Sequence, residues 1–326
     1  MNAKKVIIDC DPGIDDTLAL MLALSSPELD VLGITVVSGN VPVEKGAENA
    51  LKVLDWMNRK DIPVYLGEPL PLVRNYVDAM DTHGDDGLGE SNYPTITDIR
   101  PHTDAVGFLR DTLLHTPHVS VIALGPLTNL ARLYQTSPEA FAQIEEMVSM
   151  GGNYKSHGNC SPVAEYNYWC DPDAAHIVYE AFASMEGKLL HMIGLDVTRQ
   201  IVLTPNILQY MRYTNPVMGA RITNITKFYL DFHWKQEGII GCVINDPLAV
   251  AYFIDRNLCQ GFASYATVET QGISIGQTLV DTYHFWNKPD NSYILTQTDA
   301  YGFMKFFLQR VINAPESEIE RILKTI

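Results

Sequence analysis

The chain has 326 residues, 46% of them hydrophobic, and a formal net charge of −16. That is enough apolar sequence for a sizeable core. The negative charge argues against nucleic acid and anionic membranes as partners, and leaves a neutral or cationic small molecule open. The amino-terminal stretch MNAKKVIIDCD lacks the apolar core of a signal peptide, and no run approaches the ~18 apolar residues of a membrane span. The five cysteines, Cys10, Cys160, Cys170, Cys242 and Cys259, include no CxxC pair and read as reduced thiols, so a cytoplasmic location is expected. No linker, low-complexity tract or repeat divides the sequence, which favours one domain over residues 1–326.

The elements follow in chain order. KKVIID (4–9) is a short β-branched apolar run and predicts a buried strand, and DDTLALMLALSS (15–26) has helical periodicity with aspartates suited to its amino end. DVLGITVVSGN (30–40) predicts a second strand, EKGAENALKVLDWMNRK (44–60) a helix and IPVYLG (62–67) a third strand. VSVIALGPLTNLARLYQ (119–135) reads as strand, turn and helix, and KLLHMIGLDV (188–197) as another strand. Short apolar strands alternating with amphipathic helices predict an open, mostly parallel α/β sheet, Rossmann-like, with helices on both faces. After residue 260 the pattern changes: FASYATVET, GQTLVDTYHFW and NSYILTQT look like strands without helices between them, a mixed edge of the same sheet.

Polar clusters fall where strands end, which is where open α/β sheets bind ligands. The first, DCDPGIDD, places Asp9, Asp11, Asp15 and Asp16 within eight positions. Asp9 and Asp11 share a strand face, Pro12-Gly13 forces a turn, and Asp15 and Asp16 open the helix. Converging carboxylates without Cys or His make a hard-oxygen site suited to Ca²⁺ or Mg²⁺ rather than Zn²⁺. A helix cap alone would not justify the crowding, since the dipole is worth only about 0.3–1 kcal/mol per charge. In GNCSPVAEYNYWCDPDAA (158–175), Asn159, Glu165 and Asn167 are spaced to bind vicinal hydroxyls, while Tyr166, Tyr168 and Trp169 are candidates to flank a sugar or base. Asp171-Pro172-Asp173 reads as a helix start, and Asp246 in VINDPLAVAYF, taken alone, as an N-cap.

With these motifs in order the sequence resembles the inosine-uridine preferring nucleoside hydrolases over nearly its whole length. DCDPGIDD matches the family signature DxDPGxDD, and ALGPLTNLA, MGGN and AEYNYWCDPDAA follow at family spacing. The resemblance implies Ca²⁺-dependent hydrolysis of the N-glycosidic bond of a ribonucleoside, giving ribose and free base. It implies side-chain ligation of Ca²⁺ by Asp11, Asp16 and Asp246 and carbonyl ligation by Leu124. It makes Asp15 the general base toward a Ca²⁺-bound water, and Asn40, Met150, Asn159, Glu165 and Asn167 the ribose contacts, with Asp9 orienting the others. A homodimer or homotetramer is expected.

One position departs from the family pattern. Many members carry His just before the aspartate at 246; here Asn245 can hydrogen-bond the base but cannot supply a proton. His233 is the first candidate to assist departure of the base and His83 the second, and the base preference stays open. Two other functions share part of this pattern. A haloacid dehalogenase-type phosphatase shares the DxD element, but Pro12-Gly13-Ile14 breaks its pattern. An intact metal set with Asp15, expected as substrate contact as well as base, argues against a nucleoside-binding protein without turnover.

Overall fold

The structure is a computed structural model that describes residues 3–324. Thirteen strands are formed among them, in chain order β1 (Lys4–Cys10), β2 (Leu29–Val36), β3 (Val64–Leu66), β4 (His102–Thr103), β5 (Val119–Ala123), β6 (Met147–Met150), β7 (Leu190–Ile193), β8 (Val202–Leu203), β9 (Cys242–Val243), β10 (Cys259–Ser264), β11 (Ala266–Val268), β12 (Thr278–Val280) and β13 (Ser292–Thr298). Nine of them make one sheet in the order β10-β13-β7-β6-β5-β1-β2-β3-β4. Every pairing in it is parallel except β10 with β13. The mostly parallel sheet and its covering helices agree with the expectation from sequence.

Alternation explains why the middle of β1, Val6 to Ile8, is apolar on both faces. Val6, Ile8 and Cys10 enter the core on one face and Ile7 the core on the other. Each such side chain, fully buried, contributes about 1.5–3 kcal/mol. The larger core lies under the helices Ile14–Leu24, Val43–Trp56, Pro216–Glu237 and Asp246–Ile254, the smaller under Ala105–His115, Thr128–Thr136 and Pro172–Ala183. Asp171 caps the last of these, accepting from the amide of Ala174 at 3.0 Å, as the DPD motif suggests.

β1 is central, with β2 on one side and β5 on the other. The chain therefore winds in opposite directions from it, and the carboxyl ends of β1 and β5 diverge at a topological switch point. The amide of Leu124 donates to the carbonyl of Asp9 at 2.7 Å, which holds the two strand ends in step just below the opening.

The carboxyl-terminal strands depart from expectation. β10 and β13 do form the mixed edge, but β11 and β12 pair only with each other, and β8 pairs with β9 in another small sheet. The residues after Val280 are not a strand: the Asp281 carboxylate accepts from the amides of Phe285 and Trp286, both at 2.8 Å, and turns the chain. Among the described residues no helix is long and apolar enough to cross a membrane.

Candidate active site

A cavity of about 570 Å³ opens over the ends of β1, β5 and β6. Its floor is built by the turn after β1. Gly13 ends that turn because no side chain fits: a Cβ there would stand 2.7 Å from Nδ1 of His83 and 2.8 Å from Nδ2 of Asn40. Gly125, after β5, is pressed equally hard, with a Cβ position 2.5 Å from Oδ1 of Asp11. Gly125 thus lets the backbone close on the Asp11 carboxylate, and Gly13 lets it pass against His83 and Asn40.

Asp15, Asp16 and Asp246 converge, each offering an oxygen within 4.8 Å of the others, and all three are buried. Asp246, at the start of the helix Asp246–Ile254, turns its carboxyl to the other aspartates; the N-cap is Asn245. Asp11 is not one of these three. It lies against Asp16, accepts from the amide of Asn40 at 2.7 Å through Oδ2, and has a buried Oδ1 with no partner. Asp16 accepts from the amides of Asp11 (3.2 Å) and Gly13 (3.0 Å) and from Nδ2 of Asn40 (2.9 Å). Burial first, and mutual repulsion second, push Asp11 and Asp246 well above the usual carboxylate range and Asp16 to about 6. A bound cation would remove both penalties, and the donor set, all oxygen with one carboxylate oxygen unpartnered, fits a hard divalent ion.

Asp9 does not reach into this group. Its Oδ1 accepts from Thr35 Oγ1 (2.5 Å) and Asn129 Nδ2 (2.8 Å), its Oδ2 is buried without a partner, and burial raises it to about 7. These bonds tie it to β2 and to the helix after β5.

Asp15 faces the cavity. Its Oδ2 accepts from Nδ2 of Asn245 at 3.0 Å, from the amide of Asn245 at 3.3 Å and from the hydroxyl of Tyr229 at 3.4 Å. Asn245 keeps a buried Oδ1 without a partner. Asn40, Leu124, Met150, Asn159, Glu165 and Asn167 line the same cavity. Asn167 Nδ2 donates to the carbonyls of Leu124 (2.7 Å) and Met150 (3.1 Å). Glu165 caps the short helix Tyr166–Cys170, its oxygens accepting from the amides of Gly152 (2.8 Å), Asn167 (2.8 Å) and Tyr168 (3.2 Å), and burial raises it to about 7. Asn159 Oδ1 accepts from the amide of Tyr166 at 3.0 Å. Of the three aromatics considered, Tyr166 and Trp169 line the cavity; Tyr168 is fully buried against Ser149 and Tyr179 and belongs to the core.

His83 and His233 both line the cavity, and their rings are wired oppositely. The amide of Ile14 donates to Nδ1 of His83 at 3.1 Å, so neutral His83 carries its proton on Nε2. Nδ1 of His233 lies 2.9 Å from the carbonyl of Tyr229 and must donate, so neutral His233 has a bare Nε2. Burial lowers both below the ordinary histidine value. Sequence reading passed over Tyr229, Phe232, Gln236 and Glu237, which with His233 form one wall from the helix Pro216–Glu237, and also Arg199. Only helical spacing linked Tyr229, Phe232 and His233, and that spacing equally describes a core stripe.

The model for the inosine-uridine preferring nucleoside hydrolase family matches residues 6–305. A pyrimidine-specific ribonucleoside hydrolase, RihA, of Salmonella arizonae is 35% identical over 313 residues, spanning 95% of this chain and 98% of the relative. Its namesake from Escherichia coli O81 is 34% identical over 312 residues with the same coverage. The solved structure of a purine-preferring ribonucleoside hydrolase from Gardnerella vaginalis superimposes with a TM-score of 0.87 at 31% identity, covering 95% of this chain and 98% of that one.

Proposed function

We propose, because this chain belongs to the inosine-uridine preferring nucleoside hydrolase family and is a ribonucleoside hydrolase, that its cavity cleaves the N-glycosidic bond by direct attack of water with Asp15 as general base. The observation that carries this reading is the tethering of Asp15. Its donors all meet Oδ2, which leaves Oδ1 for a water proton while Asp16 and Asp246 stand within 4.8 Å. General-base assistance contributes about 10²–10⁴-fold.

Asp11, Asp16 and Asp246, with the Leu124 carbonyl, would hold Ca²⁺. When bound, that ion orients water and lowers its pKa. Asn40 ties the floor together through Asp11 and Asp16, and with Met150, Asn159, Glu165 and Asn167 it would surround the ribose. The acidic surroundings favour the oxocarbenium-like charge of the transition state.

For the leaving group, ring wiring reverses the order expected from sequence and favours His83 over His233, since only His83 offers an N–H hydrogen bond while neutral. Asn245, held against Asp15, is left to accept from the base through Oδ1.

The whole chain, 1–326, is read as one domain; its first two and last two residues lie outside the described ones. Five free cysteines accord with a cytoplasmic setting. Exposed Ile273, Tyr283 and Phe285 accord with a homodimer or homotetramer. A reducing-sugar assay over a nucleoside panel, with metal content measured in the same preparation, tests the central reading. Full turnover in metal-free protein would overturn the Ca²⁺ assignment. No ribose from any ribonucleoside would overturn the reaction.

A further inference from the structure

Between the ribose side and the base-side wall lies a side chain with no part in the chemistry above. Arg199 follows the short helix Leu195–Thr198 that comes after β7. Its guanidinium donates through Nη1 to Ser156 Oγ (2.7 Å) and the carbonyl of His157 (2.8 Å), and through Nη2 to the carbonyl of Gly158 (3.0 Å). The same Nη2 lies 3.5 Å from Oε1 of Glu237, the last residue of the helix Pro216–Glu237. Three residues earlier, Asp196 accepts from the consecutive amides of Tyr154 (2.6 Å), Lys155 (2.8 Å) and Ser156 (2.9 Å). The short helix and the residue that follows it therefore grip the 154–158 turn by both its amides and its carbonyls, immediately before Asn159.

We propose that Arg199 is a positioning residue for ribonucleoside hydrolysis: it fixes the turn that presents Asn159 and ties it to the carboxyl end of the base-side helix through Glu237. The proposal rests on Asn159 being a ribose contact. A planar fork is required, because one group must satisfy two carbonyls, a hydroxyl and a carboxylate set at different angles. Lysine keeps the charge and loses the fork. Arg199 also holds Glu237 by Oε1, while Oε2 stands 3.9 Å from Nε2 of His233, so the bridge fixes the carboxylate beside that ring.

The test measures KM and kcat for ribose release, competitive inhibition by free ribose, and Tm for Arg199→Ala, Arg199→Lys, Asn159→Ala and the two double variants with Asn159→Ala. Loss of charge-assisted hydrogen bonds predicts that Arg199→Ala raises KM and the ribose inhibition constant on the order of tenfold, with a much smaller change in kcat. Arg199→Lys should show most of that rise and supplies the same comparison if Arg199→Ala does not fold. In the Asn159→Ala background either Arg199 substitution should be nearly silent in KM, because the group it positions is gone. Unchanged KM in the Arg199 variants overturns the proposal, as do losses that multiply in the double variants or that track Tm alone. Asn159→Ala reads the underlying assignment separately: a raised KM there with silent Arg199 variants sinks only the proposal, whereas an unchanged KM there sinks the ribose assignment and the proposal with it.

Discussion

The floor of the cavity and its base-side wall are built by different means. The floor comes from chain that leaves β1, β2 and β5, and its carboxylates are held largely by backbone amides: Asn40 on Asp11, Gly13 and Asp11 on Asp16. The wall comes from the helix Pro216–Glu237 and the segment ending at His83, far apart in sequence, and side chains do most of the joining. Tyr229 touches Asp15 and lies against His83 and His233 with ring centroids 5.3 and 4.4 Å away. A backbone-held site cannot change one contact without moving a strand end. A side-chain wall can exchange residues while the fold stays.

The largest effect expected from this contrast is on the floor. Removing the cation should reduce ribose release to background and lower Tm, since buried carboxylates then repel without compensation. Ca²⁺ should restore both. Chelated protein that keeps its activity would break the comparison, because the floor would then be no more than a polar turn.

Next in size is the ribose 2′-hydroxyl. A pocket built to hydrogen-bond a hydroxyl rejects the analogue lacking it by about 10⁴-fold, so 2′-deoxyuridine should fall behind uridine in kcat/KM by roughly that factor. Equal values would remove Asn159, Glu165 and Asn167 from the ribose. Asp15→Asn follows, with kcat lowered about 10²–10⁴-fold while metal content and Tm stay near those of the parent. A variant with near-parental kcat would show that another group takes the proton.

The same division decides what could be read in the sequence. Most of the floor was legible because Asp9, Asp11, Asp15 and Asp16 crowd at the end of an apolar strand, a local pattern that a helix cap alone does not justify; Asp246, far along the chain, read by itself as an N-cap and joined them only through the family resemblance. The sheet was legible for the same reason, each apolar run being its own evidence. Tyr229 and Phe232 were not, because aromatic residues at helical spacing describe buried core equally well, and only tertiary structure brings them to the cavity. Tyr168 erred the other way: it sits between site residues in sequence, but the helical turn begun by Glu165 carries it into the core. The stretch after residue 260 failed at Asp281, whose side chain bends what composition alone reads as a strand. Arg199 and Asp196 gave no signal at all, since a lone charged pair beside a strand is ordinary.

The smallest and sharpest prediction falls on the wall and separates the two histidines. A p-nitrophenyl riboside needs no help for its leaving group, whereas uridine or inosine does. If His83 donates, His83→Ala should slow nucleoside hydrolysis about tenfold to 100-fold, the worth of a hydrogen bond to a developing anion, and leave the p-nitrophenyl substrate nearly unchanged. His233→Ala should then cost less on nucleosides. The pH profile supplies an independent sign. His233 faces Glu237 on its own helix and Asp15 and His83 across the cavity, and burial outweighs the two carboxylates, so its pKa lies below the ordinary ~6.5. Near pH 7 it is neutral, with its single ring proton on Nδ1 donated to the Tyr229 carbonyl. Were it the donor, nucleoside turnover would fall as pH rises toward 7, because the required proton on Nε2 is lost. His83 keeps its Nε2 proton in the neutral form, so with His83 as donor turnover should not fall across that range. A rate that declines from pH 6 to 8 on uridine but not on the p-nitrophenyl riboside, and loses that decline in His233→Ala, would reverse the assignment.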